Sequence, residues 1–301
     1  MNARHDPAGK LSPAVIKQLS QKSLYPWIRD ALIDWLVIGL TFWALVAAQN
    51  PWLAAPAVLI LGNRQHALTV LGHEAAHFTL SESRKINDSI ANLLAFWPLG
   101  LTAGGYRNVH FKHHKSTNTA NDPELAHRGA RAPQWDLPIS PTRIARYCLS
   151  DLLGGSLADY VIIVRFSKPN HTSDYLPPLL LHVALAALCL LTGFWWIAAL
   201  WYLSLVTSFM MFFRLRTCLE HLGTDGTHRL HLNWWQRHLI APHNIWYHWE
   251  HHLYPAIAYA KLPLARRLLP QEPIISLGEL LAFYKNADRI ASGAVLKPGI
   301  R

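Results

Sequence analysis

Two long stretches without charged residues constrain the fold more than any other feature of the chain. Asp, Glu, Lys and Arg are all missing from 35–62 and from 176–213. A helix of about 20 apolar residues crosses a bilayer, so the second stretch is long enough to cross and return. Asn50-Pro51 interrupts the first stretch, and apolar residues continue to Leu71. The prediction is an all-α integral membrane protein with four transmembrane helices in two hairpins, near 31–49, 52–72, 176–192 and 195–214. A hairpin buried inside a soluble protein is the weaker alternative.

The composition agrees with this prediction. The chain is 51% hydrophobic and 15% charged, whereas an ordinary soluble domain is about 25% charged. Lys and Arg concentrate near both ends and in 105–168, and the two hairpin turns carry no charge. By the positive-inside bias, both termini and the histidine clusters described below should be cytoplasmic, in the inner (plasma) membrane if the protein is bacterial. The basic residues are dispersed and no binding motif accompanies them, so no nucleic-acid partner is expected.

The sequence predicts one domain over 1–301, without internal repeats. The first 30 residues lack the apolar core of a signal peptide, so no cleaved leader is expected. Cys148, Cys189 and Cys218 have no paired spacing, which argues against disulfides or a thiolate metal site. A segment rich in proline, 119–142, reads as a loop. The expected parts are a polar or amphipathic segment (1–30), the first hairpin (31–72), two histidine clusters with interfacial helices (73–175), the second hairpin (176–214), and a third cluster with a C-terminal cap (215–301).

Nine of the 18 histidines fall into three tight clusters and one single position. Within each cluster the spacing is at most four residues, so helical imidazoles lie close together. Imidazole suits iron, zinc, copper and nickel. Zinc takes about four ligands and octahedral ions about six, so the number of histidines indicates two metals. The nine residues are His73, His77, His110, His113, His114, His221, His248, His251 and His252.

The second and third clusters share the pattern H-x-x-H-H, in 110–114 and 248–252. On a helix the first and last imidazoles of this pattern stack one turn apart, and the middle one points to the side. One such helix is therefore able to offer ligands to two neighbouring metals. We expect a dinuclear centre dominated by neutral nitrogen ligands.

These motifs resemble those of the membrane-embedded fatty acid desaturase and hydroxylase superfamily. The resemblance rests on H-E-A-A-H at 73–77, H-F-K-H-H at 110–114 and H-W-E-H-H at 248–252, and it covers roughly 30–260 in order and spacing. It implies a non-haem di-iron enzyme with four membrane helices and a cytoplasmic helical cap. It also implies that the nine histidines bind iron and that O₂ is a co-substrate, with no catalytic residue beyond these ligands.

The resemblance further implies hydrogen abstraction from an unactivated C–H bond. Removal of a second hydrogen from the substrate would give a double bond. The preferred function is therefore a desaturase that acts on an acyl chain in a lipid or lipid-like substrate. Gain of oxygen would make a hydroxylase or ketolase acting on a lipid, carotenoid or small amphiphile, and an acetylenase is a further variant. Some members place an asparagine near one iron. Thr217 stands four residues before His221, so Asn244 is the nearest candidate for that role.

Two electrons must come from another protein. The chain has no cysteine cluster for iron–sulfur and no haem-binding or dinucleotide motif, so no bound haem, flavin or nicotinamide is expected. An external donor, a ferredoxin-like protein or a cytochrome, is expected instead. Lys112, Lys115, Arg128 and Arg131 are candidates to meet its acidic face.

Residues beside the clusters are candidates for supporting roles. Six polar neighbours are candidates to hold imidazole N–H groups or lie close to the metals: Asn244, Glu74, Glu220, Glu250, His66 and His243. A solvated carboxylate or a packed histidine explains each of them as well. Asp122 and Glu124 are candidates to orient the cap or the substrate headgroup, although a turn before Pro123 also explains Asp122. Trp246 and Trp249 are candidate tunnel walls, although anchoring at the membrane interface is the alternative.

Two remote alternatives use the same residues differently. H-E-A-A-H also fits the H-E-x-x-H zinc protease motif, with Glu74 as general base, but this leaves seven clustered histidines unexplained. A metal transporter would need polar groups at mid-membrane, whereas the histidine clusters lie outside the predicted spans.

Overall fold

A computed structural model of the protein describes residues 11–270 and 273–287, and most of this part is helical. Short 3₁₀ turns (Pro51–Leu53, Trp97–Leu99, Thr172–Tyr175, Tyr259–Lys261) and a π-helical turn (Asn92–Phe96) join some helices. In chain order the helices are α1 (Pro13–Leu19), α2 (Leu24–Ala48), α3 (Ala54–Ala76), α4 (Arg84–Ala91), α5 (Ala103–Ser116), α6 (Pro123–Ala130), α7 (Pro141–Leu152), α8 (Leu157–Phe166), α9 (Leu176–Leu191), α10 (Trp195–Val206), α11 (Ser208–Glu220), α12 (Trp234–Leu239), α13 (His248–Leu253), α14 (Leu262–Leu268) and α15 (Leu277–Asn286).

Three helical segments are long and apolar enough to cross a membrane. They are Leu24–Ala48, Thr172–Leu191 and Trp195–Glu220. Helices α7 and α8 are together long and apolar enough to cross as well. They meet at a bend of 81°, so they make a fourth candidate only if they are one broken span. The structure therefore shows three to four candidate spans by length and composition. Large apolar side chains on α2 and α9 are exposed in the isolated chain, which suits contact with lipid.

Helix α3, predicted as the second span, differs from the others in composition. Asn63-Arg64-Gln65-His66 interrupts its apolar sequence, so it is not among the candidate spans. Every residue from Gln65 to Ala76 is buried in the protein. It packs against α2, α10 and α11, and polar side chains are stable there because neighbouring helices bind them. Helix α3 is thus the central element around which the others pack.

Several boundaries differ from the sequence prediction. Helix α2 begins at Leu24 instead of 31, because Arg29 and Asp30 remain within the helix and pair with each other at 2.7 Å. The span expected over 195–214 is two helices that meet at Thr207, whose backbone (φ −122°, ψ −91°) leaves the helical region.

Two cap regions were also assigned imperfectly. The prediction of a loop over 119–142 was wrong for Pro123–Ala130, which is helix α6. The Asp122 side chain accepts a hydrogen bond from the Glu124 N–H and caps this helix. The apolar residues in 142–166 predict a single interfacial helix, but the structure has two helices there, α7 and α8, because Gly154 adopts φ +84° between them.

The C-terminal part closes the cap. Strands β1 (Arg229–His231) and β2 (Ile274–Ser276) pair in parallel, with Leu230 opposite Ile275. Helix α15 follows β2 directly and begins with a capping box formed by Ser276 and Glu279. Its buried residues join a core that also includes residues of α7 and α11. This arrangement holds the segment that carries the third histidine cluster against the rest of the protein.

Close packing between α3 and α11 gives a test of the fold. A Cβ at Gly62 would lie 2.5 Å from the Phe209 backbone nitrogen, so the backbones must separate to accept it. We expect Gly62→Ala to lower the free energy of unfolding by about 1–3 kcal/mol, measured by thermal unfolding in detergent.

Gly39 provides a matched control in another long helix. A Cβ there has nothing within 4 Å. Gly39→Ala should leave stability unchanged or raise it slightly, because alanine favours helix more than glycine. Equal effects of the two substitutions would contradict the close contact between α3 and α11.

Candidate metal centre

Four helices deliver the nine clustered histidines to one place. His73 and His77 end α3, and His221 ends α11. Helix α5 carries 110–114, and α13 carries 248–252. Before α13, His243 and Asn244 both adopt positive φ (52° and 57°), which turns the chain sharply into the third cluster.

Five imidazoles form the first group. Their nearest ring nitrogens all lie within 4.8 Å of one another. The Nε2 atom of His110 is 2.8 Å from that of His77 and 3.0 Å from that of His114. The Nε2 atom of His114 is in turn 3.1 Å from that of His251. The members are His73, His77, His110, His114 and His251.

Four imidazoles form the second group. His113, His221 and His252 bring their nitrogens within 4.8 Å of one another. His248 joins them, since its Nε2 atom is 2.8 Å from that of His221 and 3.1 Å from that of His252. The oxygen of Glu220 also lies within 4.8 Å of a nitrogen of His221.

Each H-x-x-H-H helix contributes to both groups. His110 and His114 point to the first group, while the middle residue of that cluster, His113, points to the second. In α13 the outer residues belong to the second group and His251 to the first. The rings of His114 and His252 stack with centroids 4.2 Å apart, so the groups are adjacent. The predicted division of each helix between two neighbouring sites is present in the geometry, although the ligand roles themselves stay a prediction.

The clustered imidazoles are held neutral. Burial lowers the pKa of His110, His221, His248, His251 and His252 well below the ordinary value, and neighbouring imidazoles add to this effect. Burial also lowers the pKa of His77 to about 3, with a further contribution from Arg107. A neutral imidazole has a free lone pair, which is the form that binds a metal.

His113 is the exception in this cluster. Burial lowers its pKa, but the charge of Glu124 and the hydrogen bond to Asp122 outweigh burial, so the net shift is upward. A carboxylate on the far side of an imidazole strengthens that imidazole as a ligand.

The side chains fit a pair of cations. His73 is completely buried, and neither of its ring nitrogens has a hydrogen-bond partner within the described residues. The Nε2 atom of His110 faces two other Nε2 atoms, and one neutral imidazole has too few protons to bridge both well. Converging neutral nitrogens of this kind are stabilised by a positive ion between them. Nitrogen-only donor sets suit iron or zinc.

Carboxylates and a carbonyl face the outer nitrogens of several rings. Asp122 contacts Nδ1 of His113 at 3.0 and 3.1 Å, and the same atom of His221 donates to the Gly226 carbonyl at 2.8 Å. Glu74 lies 3.3 Å from His73 Nδ1, and Glu220 lies 3.5 Å from His248 Nδ1. Glu74 and Glu220 therefore lie beside two of the clustered rings and Asp122 contacts a third, while the roles of these carboxylates stay predictions.

Other expected neighbours face elsewhere. Glu250 binds Arg229 at 2.7 Å and Arg266 at 2.8 Å, so its carboxylate pairs with arginines and not with an imidazole N–H. His66 contacts the Ile240 carbonyl at 3.2 Å. Asn244 donates to the Tyr259 carbonyl at 3.3 Å. These contacts hold the backbone around the third cluster.

His243 belongs to a polar cluster that joins α2, α3 and the segment before α13. Its Nε2 atom is 2.8 Å from Asp34, and Arg64 contacts the other oxygen of that carboxylate at 2.7 Å. Tyr259 donates to Asp30 at 2.6 Å, while its backbone N–H donates to Glu74 at 2.9 Å. Asp34 and Tyr259 were not predicted from the sequence. A signal for Asp34 was available, because Asp30 and Asp34 lie one turn apart in a mainly apolar helix.

A mainly apolar cavity reaches the first histidine group. It spans about 1060 Å³ with its opening, and His110 and Tyr106 form part of its wall. The Tyr106 ring stacks on His110 with centroids 5.3 Å apart. Apolar side chains from α5, α8 and α11 and the segments beside them form most of the rest: Leu99, Leu101, Val109, Trp135, Tyr160, Ile163, Phe166, Phe209 and Phe213.

Polar groups also line the cavity. Glu124 is one of them, and Thr217, Arg216 and Glu220 were not predicted as lining residues. Arg216 donates to Glu220 at 2.7 Å, so this pair largely cancels its charge. The Thr217 hydroxyl donates to the Phe213 carbonyl, which turns it toward its own helix.

Four other expected residues are engaged by neighbouring side chains. Trp246 is covered by the guanidinium groups of Arg237 and Arg266, and Trp249 by that of Arg229, and neither tryptophan lines the cavity. Two arginines predicted to contact the electron-donor protein bind residues of this chain instead of lying free. Arg128 is buried and donates to Asn118, and Arg131 pairs with Asp159 at 2.8 Å.

The lowered pKa of His77 predicts acid sensitivity of the metal-free protein. The pKa of His77 is near 6.5 in the unfolded chain. Between pH 6.5 and about 3, His77 is therefore protonated in the unfolded chain and neutral in the folded protein. His77 alone should then remove about 1.4 kcal/mol of stability per pH unit as the pH falls through this window. Unfolding midpoints of chelator-treated protein at pH 7.5, 6.5 and 5.5 measure this loss.

The matched variant for this test is His77→Gln, which removes the titrating group. Its midpoint should fall less steeply with pH than that of the unchanged protein. Identical pH dependence in both proteins would mean that His77 is not held neutral in the folded state.

Comparisons with known proteins agree with this geometry. Residues 50–274 match the family model described as fatty acid desaturase. An sn-1 acyl-lipid omega-3 desaturase (ferredoxin) from Nostoc sp. is 31% identical over 52% of this chain and 40% of its own length. Dihydrorhizobitoxine desaturase from Bradyrhizobium elkanii is 26% identical over 74% of this chain and 69% of its length.

A ketolase covers more of the chain than either desaturase. Beta-carotene ketolase from Paracoccus sp. is 25% identical over 78% of this chain and 89% of its own length. The chain thus spans less than half of the length of the omega-3 desaturase and most of the length of the ketolase. Since the family model matches about three quarters of the sequence, the chain belongs to the fatty acid desaturase family and is an oxidoreductase.

Proposed function

We propose that the protein is a di-iron, O₂-dependent membrane desaturase that introduces a double bond into the acyl chain of a lipid or lipid-like substrate. The observation that carries this proposal is an apolar cavity whose wall includes His110, one member of the five-histidine group. A flexible alkyl chain in that cavity would lie directly beside the candidate metal ligands.

Two iron ions would bind to the two groups, one to five histidines and the other to four. When bound, they would supply the oxidising power needed to remove hydrogen from an unactivated C–H bond. The buried carboxylates Glu74, Glu220 and Asp122 would fix the orientation of individual rings and add negative charge around the cations. The neutral state of the imidazoles keeps their lone pairs free for binding at neutral pH.

The cavity wall would position the substrate and exclude water. Phe209, Phe213 and Ile163 offer apolar surface for an alkyl chain, which limits side reactions of a strong oxidant. Tyr106 stacks on His110 and would keep this ring in a fixed plane next to the substrate. Glu124 is partly exposed on the polar side of the cavity, where a polar substrate headgroup would be accommodated.

The topology we propose has four crossings in two hairpins, formed by α2 with α3 and by α9 with the broken helix α10–α11. The described ends of these hairpins carry the histidine groups, which we place in a cytoplasmic helical cap together with both termini. The abundance of Lys and Arg in the same segments supports this orientation. The whole chain would form one membrane domain.

The electrons would come from an external protein. The related omega-3 desaturase is named for its use of ferredoxin, and we propose a ferredoxin-like protein here, with a cytochrome as the alternative. Arg128 is buried and donates to Asn118, and Arg131 pairs with Asp159, so both are already engaged within the protein.

Ketolation or hydroxylation is the second candidate function. Its specific support is the beta-carotene ketolase, which aligns over a larger share of both chains than the omega-3 desaturase does. The zinc protease and metal transporter alternatives are set aside, because the family is one of oxidoreductases.

Product analysis tests the type of reaction. Lipids and small metabolites from cells with and without the protein should differ by a product two hydrogens lighter than its precursor, detected by mass spectrometry. A product that gains one oxygen would support the second candidate instead and contradict desaturation.

Metal analysis tests the centre directly. The purified protein should contain about two irons per chain, and His251→Ala should abolish product and lower iron to one or fewer, because the first group loses a ligand. His231→Ala is the matched control, since His231 is exposed on β1, and it should keep both iron and activity. Full activity of His251→Ala would remove it from the ligand set.

A further inference from the structure

We propose that the surface around Phe78 and Phe111 docks an acidic electron-transfer protein. This aromatic–basic face consists of Phe78, Arg84, Lys85, Phe111, Lys112 and Lys115. The inference rests on the proposed function, because only an enzyme that consumes electrons needs such a partner.

The face lies directly outside the first histidine group. His77 is one of three clustered histidines that stay partly accessible. The Phe111 ring packs against the His77 ring with centroids 5.5 Å apart, and Phe111 is itself 41% exposed. From solvent to a candidate metal ligand the route therefore crosses a single aromatic ring. None of the residues of this face lines the cavity proposed for the substrate.

Exposed positive side chains on α4 and α5 belong to this face. Lys112 and Lys115 are exposed on α5, and Arg84 and Lys85 are exposed on α4. These four side chains form no salt bridge within the described part of the chain. The nearby acidic residues are neutralised, since Asp88 binds Arg107 at 2.6 Å and Glu82 binds Lys22 at 3.1 Å.

Arginine also rigidifies the aromatic part of the face. The guanidinium of Arg107 lies 3.9 Å from the centre of the Phe78 ring, and that of Arg84 lies 4.9 Å from it. Aromatic residues ringed by cations form a compact apolar centre with a charged rim, which is the composition of a protein-binding surface. The rim charge is positive, so the complementary partner is acidic, and attraction between the two would accelerate their encounter.

Anionic lipid headgroups are the other possible binder of basic residues. The position of the face favours a redox protein, because Phe111 contacts the ring of His77, a candidate metal ligand. Electron transfer would use this contact, whereas binding of a lipid headgroup would not. The two partners are separated by the choice of membrane in the experiment below.

The test measures electron transfer without needing the substrate. Iron-loaded, oxidised protein in phosphatidylcholine nanodiscs is mixed with a reduced, acidic two-iron two-sulfur ferredoxin, and oxidation of the ferredoxin is followed by absorbance. We expect Lys112→Glu/Lys115→Glu, and separately Arg84→Glu/Lys85→Glu, to lower the second-order rate constant about tenfold at low ionic strength. The difference should shrink in high salt, because screening weakens the attraction.

Matched controls separate docking from damage to the centre. Arg267→Glu/Lys285→Glu reverses two exposed charges elsewhere and should keep the original rate constant. Iron content and reduction by dithionite, which needs no docking surface, should be the same in all proteins.

The contrary outcomes are distinct. The docking proposal would be overturned if the original protein and both face variants oxidised ferredoxin at equal rates. It would also be overturned if the original protein failed to oxidise ferredoxin although dithionite reduced its iron. A defect that appears only in nanodiscs containing phosphatidylglycerol would assign the face to lipid and overturn it as well. A protein that binds no reducible metal would overturn the proposed function itself.

Discussion

Mutual crowding of neutral imidazole nitrogens is the constraint on which the rest of the structure depends. The Nε2 atom of His110 lies 2.8 Å from that of His77 and 3.0 Å from that of His114 in a buried environment. One proton bridges only one of these contacts well, whereas a cation at their centre would satisfy all three lone pairs. The surrounding protein supplies what such cations need. Carboxylates contact the outer nitrogens of several rings, and burial keeps the rings uncharged. The cavity then brings an apolar substrate to the edge of this cluster.

The central helix α3 explains how distant parts of the chain meet accurately. Its end carries His73 and His77, while its earlier turns bind the segment before α13 through Asn63, which donates to the Leu239 carbonyl at 2.7 Å, and through His66. The first and third clusters are therefore fixed relative to one another by a single rigid element. The polar residues that interrupt the apolar sequence of α3 are the ones that perform this task.

The sequence was sufficient for the features that depend on local spacing. Long uncharged stretches located the apolar helices to within several residues, and the spacing in 110–114 and 248–252 gave the division of each helix between two sites. The family followed from the same motifs. The assignment of nine ligands and of iron stays a prediction, with which the geometry is compatible.

The remaining features depend on contacts between residues far apart in the chain. Asp34 meets His243 and Tyr259 meets Glu74 only after folding, so spacing along the chain carried no information about these pairs. Helix α6 was missed because prolines suggested a loop, although Pro123 stands at the first helical position, where proline is favoured. Trp246 and Trp249 were assigned to a tunnel by residue type alone, whereas arginines cover both rings.

The division of α5 and α13 between two groups has a consequence for how the centre assembles. In the proposed centre, each helix would present its outer pair of imidazoles to one ion and its middle imidazole to the other. A rotation that improves the fit around one ion would therefore displace a ligand of its neighbour. Filling either position would fix the orientation of both helices and so prepare the second position, which would make occupancy of the pair cooperative.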